Sequence, residues 1–367
     1  MRTARISNRV STMKPSGVRK FFALAATMDS CLDLSIGQPD FEVFPEFKQA
    51  ASKAIELNHN SYTQSPGIHS ARSVLRERYG IAPDSSHDVI ITSGVMGGLF
   101  LSFSTFLDPG DEILIPDPYF VGYKEAALLL GATPVCFDTY PDFSPRREAI
   151  ESRITSRTKA IVVSSPANPT GYVMTWKEVD MLENLALEHG LFLVYDEIYE
   201  HFCYDMPHAR PSLSDHVVIL NGISKSHAMT GWRIGWAIAE KSLIEQFEKV
   251  QQFTYVCAPS PFQNIIDQVI VSNENPMREV YKRKRDLVYQ ELSSKYEMEK
   301  PGGAFYFFPT SHFDTATSFV EEALKKKLLM IPGSVFSEQD TNFRLSYAVS
   351  DSVLEQALDI LKALSVQ

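Results

Sequence analysis

The sequence predicts an α/β fold: a large domain with a mostly parallel sheet wrapped by helices, and a smaller α+β domain formed by both chain ends. Three observations predict it. After residue 85, short runs rich in Val, Ile, Leu and Phe alternate with helix-period runs. From about residue 275 that rhythm gives way to a long charged helical stretch and then short strands. The first ~40 residues show neither rhythm, which leaves them free to pack on the second unit. A length of 367 residues suits two domains.

The strands of the large domain are expected at 89–92, 112–115, 160–164, 191–195, 217–220 and 234–239. Each is nearly continuous in apolarity, as a strand buried on both faces should be. Helical runs lie between them, and such alternation means a mostly parallel sheet. One helix is bounded by its own residues. Thr175 starts it, Glu178 three positions later completes a capping box, and Gly190 ends it. In the second unit a helix over 277–295 precedes strands around 303–308, 328–331 and 343–347, with helices near 315–327 and 351–364. The expected division is 1–40 for an N-terminal arm and part of the small domain, 41–275 for the large domain and 276–367 for the small one.

Composition excludes several classes. Hydrophobic residues at 44%, charged residues at 22%, 18 Gly and 21 Pro rule out a disordered or collagenous chain. A net charge of −10 argues against a nucleic-acid partner, which calls for a basic stripe. The four cysteines, Cys31, Cys136, Cys203 and Cys257, form no CxxC pair. They fit a reducing, cytoplasmic setting and neither a disulfide framework nor a metal site. No apolar run approaches the ~18 residues of a membrane span. Residues 1–28 hold six basic residues and no acid, a composition shared by transit peptides and basic structural arms. Arg19-Lys20-Phe21-Phe22 runs straight into folded-looking sequence, which favours the arm.

No GxGxxG follows a strand, and there is no GxxxxGK[ST] or HExxH. Gly222-Ile223-Ser224-Lys225-Ser226 fails as a nucleophile elbow, because Ser226 stands where GxSxG needs Gly. Four other segments stand at the ends of predicted strands, where open α/β sheets bind ligands. Ser93-Gly94-Val95-Met96-Gly97-Gly98 suits a phosphate at a helix N-terminus, or a plain tight turn. Ser165-Pro166-Ala167-Asn168-Pro169-Thr170-Gly171 is either a loop or a seat for the Asn168 amide. In Tyr195-Asp196-Glu197-Ile198-Tyr199, a carboxylate at the end of a buried strand is costly unless paired; it caps a helix or meets a cofactor cation. The run from Gly222 to Gly235 places Lys225 and Arg233 eight apart among hydroxyls and glycines, which suits an amine nucleophile beside an anion clamp.

In order and spacing these segments resemble the fold-type-I pyridoxal-phosphate enzymes, specifically the class I/II aminotransferases related to aspartate and aromatic aminotransferases. Ser16-Gly17-Val18-Arg19-Lys20-Phe21-Phe22, Ile36-Gly37-Gln38-Pro39-Asp40-Phe41, Asn168-Pro169-Thr170-Gly171, Pro301-Gly302-Gly303-Ala304-Phe305-Tyr306 and Phe343-Arg344-Leu345-Ser346 carry the same resemblance, across nearly the whole chain. It implies pyridoxal 5′-phosphate as cofactor and ping-pong transfer of an amino group from an L-amino acid to a 2-oxo acid. Lys225 is implied as the amine that binds the cofactor aldehyde and then moves the proton between Cα and C4′. Asp196 is implied to keep the pyridine nitrogen protonated. Tyr199 and Asn168 would bond the ring oxygen, and Phe120 would stack on the ring. Backbone from Gly94 through Val95 to Met96, with Ser224 and Arg233, would hold the phosphate. Arg344 would fork the substrate α-carboxylate, with the Gly37 backbone beside it. Tyr62 matches a tyrosine that reaches the neighbouring subunit's phosphate, which implies a homodimer with shared active sites.

Three positions differ from the family pattern. Phe120 stands where Tyr or Trp is commoner, and Gly222 where many relatives carry a phosphate-touching Ser. Met96 stands where aspartate-using bacterial relatives carry a Lys that reads a second carboxylate, so apolar or aromatic donors are expected. The alternatives are an aspartate-specific aminotransferase and a lyase of the carbon–sulfur β-lyase type on the same scaffold. A non-catalytic regulator would need a DNA-binding extension, for which the chain has no room.

Overall fold

The computed structural model describes residues 6–12, 30–271 and 275–365. The expectation that Arg19, Lys20, Phe21 and Phe22 border the site lies outside these residues.

A seven-stranded sheet organises the large domain. Its strands are β2 (His87–Thr92), β3 (Glu112–Asp117), β4 (Thr133–Asp138), β5 (Thr158–Ser164), β6 (Phe192–Asp196), β7 (Val217–Gly222) and β8 (Gly235–Glu240), in the order β2-β8-β7-β6-β5-β3-β4. All six expected strands are present, lengthened or shifted by one or two residues. β5 through β8 and β2 are almost wholly buried, which is why their apolar runs are continuous. β4 went unpredicted. It is an edge strand paired only with β3, half-exposed and carrying Pro134, so it lacks the apolar run of a central strand. β8 runs antiparallel to both neighbours, β2 and β7. The connection from β7 to β8 therefore needs no crossover helix and stays at one sheet edge.

Helices cover both faces. Trp176–His189 begins on Thr175, whose side chain accepts from the Glu178 N–H in a complete capping box, and it ends on Gly190 in the left-handed region at φ +63°. Asn8–Thr12 lies against Val121–Leu130. That part of the arm thus meets the large domain, while Leu32–Asp33 joins the small one.

The small domain joins both chain ends. β1 (Leu32–Asp33) pairs in parallel with β10 (Leu328–Leu329), while β11 (Ile331–Pro332), β12 (Phe343–Ser346) and β9 (Tyr306–Phe307) form an antiparallel sheet. Its core packs Leu34 with Phe305, Leu329 and Tyr347. The helix Asp351–Leu364 buries Leu354, Leu358, Leu361 and Leu364, one stripe at helical spacing. Met277–Leu292 and Ala316–Lys325 complete the layer, each ending a few residues before its expected end. Among the described residues, no helix is long and apolar enough to cross a membrane.

Candidate active site

The parallel strands deliver their carboxyl ends to one edge of the sheet, and the site forms there. β6 ends on Asp196, β7 ends on Gly222 and feeds the loop with Ser224 and Lys225, β5 leads to Asn168, and β2 leads through Ser93 into the helix Gly94–Phe106. Together with the small domain they enclose a cavity of about 460 Å³. Of the residues given a catalytic, cofactor or substrate role from the sequence, all but Gly94 and Tyr62 line it.

Asp196 is buried with neutral donors only. Its Oδ2 accepts from the Tyr123 hydroxyl at 2.8 Å and its Oδ1 from the Ile198 N–H at 3.1 Å. Burial pushes the carboxyl up to about 6; those two donors pull it down and the Glu197 charge pushes it further up. Lys225 is moved the other way. Its Nζ donates to the Gly37 carbonyl at 2.6 Å, and burial, with the Arg344 and Arg233 charges near, lowers it to about 8. Roughly a tenth of such amines are unprotonated at neutral pH, far more than of a free lysine.

Arg344 lies between two rings, its guanidinium carbon 4.7 Å from the centre of Tyr306 and 4.6 Å from that of Phe336. One terminal nitrogen donates to Asn168 Oδ1 at 3.0 Å and the other to the Ser35 carbonyl at 2.6 Å. The fork is thus held in plane. Tyr199 is buried, its hydroxyl 2.8 Å from that of Tyr306. The Phe120 ring meets Tyr123 edge-on at 5.4 Å.

The turn at Gly94 packs closely against Arg233. Gly94 has φ +69°, and a Cβ there would fall 2.5 Å from an Arg233 guanidinium nitrogen. Ser93 makes no side-chain cap, so the first N–H groups of the helix Gly94–Phe106 stay open beside that guanidinium. Arg233 itself is held at φ +58°, a left-handed conformation that costs about 1 kcal/mol or more in a non-glycine residue. Gly222 has a steric reason. A Cβ there would come within 2.7 Å of the Ile234 carbonyl and 2.9 Å of the Gly235 Cα, so the close pairing of β7 with β8 leaves no room for serine.

The profile of the family "Aminotransferase class I and II" matches residues 29–361. The chain belongs to that family. A probable N-acetyl-LL-diaminopimelate aminotransferase of Bacillus subtilis is 36% identical, over 95% of this chain and 92% of its own. An aromatic-amino-acid aminotransferase of Thermococcus litoralis is 33% identical, over 96% of both. The structure of aspartate aminotransferase from Thermus thermophilus with maleate superposes with a TM-score of 0.93 at 33% identity, over 99% of this chain and 100% of that one. All three are named aminotransferases, so the lyase alternative gains no support.

Sequence reasoning gave no role to several residues of this aminotransferase site, Tyr123, Tyr306 and Phe336 among them. Tyr123 lies three positions after Phe120, one helical turn, so the spacing offered a signal for it. Tyr306 stood in the quoted Gly-Gly-Ala-Phe-Tyr run without a role. Phe336 comes just after the short 3₁₀ turn Gly333–Val335 that follows β11, and it carried no local signal.

Proposed function

We propose that the chain is a pyridoxal 5′-phosphate-dependent aminotransferase, a cytoplasmic homodimer with shared active sites. It moves the amino group of an L-amino acid, apolar and aromatic donors favoured, to a 2-oxo acid by a ping-pong mechanism. The observation that carries this reading is a buried carboxylate whose hydrogen-bond donors are all neutral, Asp196, in the same cavity as a buried amine of lowered pKa, Lys225. The domain boundaries we assign are 1–40, 41–275 and 276–367.

The residues fit the cofactor. Asp196, with neutral donors alone, suits a protonated pyridine nitrogen. The open helix start beside Arg233, with Ser224, suits a phosphate. When bound, the cofactor supplies an electron sink for charge developing at the substrate's α-carbon. Lys225 would hold the cofactor through its amine and would serve as the base for the proton at the substrate's Cα. Tyr199 and the Asn168 amide nitrogen donate to the ring oxygen, and Phe120 covers a ring face. Arg344 receives the substrate α-carboxylate on its fixed fork beside Gly37, a contact worth about 1.5–3 kcal/mol.

Donor preference follows from the cavity's cations. Among the described residues that line it these are Lys225, Arg233 and Arg344, and each already has a task. A second carboxylate on the substrate would go unpaired, at a cost of several kcal/mol. Val95, Met96, Phe120, Ile198 and Phe336 offer an apolar wall instead. Dimerisation is read from Tyr62 and Phe253, 82% and 87% exposed. Gln251 binds the Ser65 carbonyl and so ties their two segments together.

Three measurements test the reading. Borohydride reduction of the loaded protein should fix the cofactor on the peptide containing Lys225, and Lys225→Ala should abolish turnover; a label on another lysine defeats the assignment. Steady-state kinetics should rank phenylalanine, tyrosine or leucine above aspartate by kcat/KM with one common acceptor. Aspartate ahead by tenfold, about 1.4 kcal/mol, would show that a cation from elsewhere serves the pocket.

A further inference from the structure

Beneath the cavity floor lies a polar cluster that the assigned chemistry does not use. Glu197, the residue after Asp196, is fully buried. Its carboxylate accepts from the Tyr79 hydroxyl at 2.6 Å, from Arg210 at 2.7 and 2.9 Å, from Asn221 Nδ2 at 3.0 Å and faces His208 Nε2 at 3.0 Å. Burial alone would push this carboxyl up, but His208 and Arg210 outweigh it and hold it well below the usual range. Arg210 also lies 4.4 Å over the Tyr79 ring. Arg210 thus pairs with Glu197 and Glu200, and Arg78 pairs with Glu200 as well.

Asn221 is the member that stands closest to Lys225 in the chain. It is 1% exposed and sits at the end of β7, four residues before Lys225. Its Oδ1 accepts from the Gly222 N–H at 2.7 Å, while its Nδ2 donates to Glu197 and, at 2.7 Å, to Glu200. Only an amide satisfies both sides: the backbone N–H requires an acceptor and the two carboxylates require a donor. The cluster also grips the far end of the Lys225 loop. Trp236, the register partner of Asn221 on β8, donates its indole N–H to the Tyr79 hydroxyl at 3.1 Å. On the other side, the Glu197 N–H donates to the Leu220 carbonyl at 2.9 Å and extends the β6–β7 ladder past Asp196.

We propose that Asn221 is a positioning residue for the amino-transfer reaction. With Glu197 and Tyr79 it forms a buried brace that fixes both ends of the Lys225 loop against the strand end carrying Asp196. The inference rests on the roles proposed above for those two residues. The physical ground is that a proton-transferring group misplaced by about 1 Å loses up to about 10²-fold in rate, and that catalytic side chains keep their place only when their support is itself hydrogen-bonded.

The test uses the cofactor-loaded protein. Asn221→Ala should lower kcat tenfold or more with KM for the amino donor within threefold, because Arg344 stands outside the brace. The pH midpoint at which the bound cofactor's absorbance titrates should move by at least about half a unit, since Lys225 and Asp196 no longer hold their relation. If Asn221→Ala does not fold, Tyr79→Phe removes a single buried hydroxyl and should lower kcat about threefold with the same signature. A variant that melts earlier yet keeps wild-type kcat and midpoint, or one that loses only in KM, overturns the proposal and leaves the brace a matter of folding. Wild-type protein that takes up no cofactor would instead defeat the proposed function, so the two failures are distinct.

Discussion

One burial environment pushes Asp196 and Lys225 in opposite directions, and each moves toward neutrality. For Asp196 this has a measurable cost in the cofactor-free protein. Its folded value, about 6, stands above the ordinary 3.8, so between roughly pH 4 and 6 the folded state keeps a proton that the unfolded state has lost. Its contribution to stability is then full below about pH 4 and falls away as pH rises through 6, by an amount on the order of 3 kcal/mol. Denaturant unfolding of cofactor-free wild type and Asp196→Asn across this range should show the asparagine variant gaining on wild type by that amount, then holding level above pH 6. A constant difference would mean that the carboxylate ionises without cost. The carboxylate and the amine were legible because each stands at a strand end in a motif. Tyr123 and Phe336, which hold Asp196 and Arg344 in place, were not, since a bond across 73 residues or a ring packed on a guanidinium leaves no local pattern.

At the scale of elements, legibility followed burial. A strand enclosed on both faces must be apolar throughout, so β2, β3, β5, β6, β7 and β8 announced themselves, while half-exposed β4 did not. The Thr175–Glu178 box and Gly190 bounded a helix because capping is settled within four residues. Strand direction is another matter. An apolar run reads the same for either direction, and the antiparallel course of β8 rests on its pairing with β2 and β7. That course has a chemical consequence, since it brings the Lys225 loop and Arg233 back to the edge where Asp196 ends. It also accounts for Gly222, whose missing Cβ admits the Ile234 carbonyl.

Across the whole molecule, the site is assembled from distant pieces: Lys225 bonds Gly37 across 188 residues and Arg344 bonds Ser35 across 309. Pairing of β1 with β10 brings these pieces together. Tyr62 stands 82% exposed outside its own cavity, which suits a hydroxyl offered to a second copy. Tyr62→Phe should raise the cofactor dissociation constant about five- to tenfold, near the ~1 kcal/mol of one hydrogen bond, while sedimentation still shows a dimer. A monomer with full activity would refute the shared site. The sequence by itself determined which strand ends bear chemistry, because apolar runs, capping residues and turn glycines act within a few positions. Only the tertiary structure decided the direction of β8, the ring pair around Arg344, and the brace of Glu197, Tyr79 and Asn221. The reason is that burial, and with it the proton affinity of Asp196 and Lys225, depends on neighbours that folding brings in from other segments of the chain.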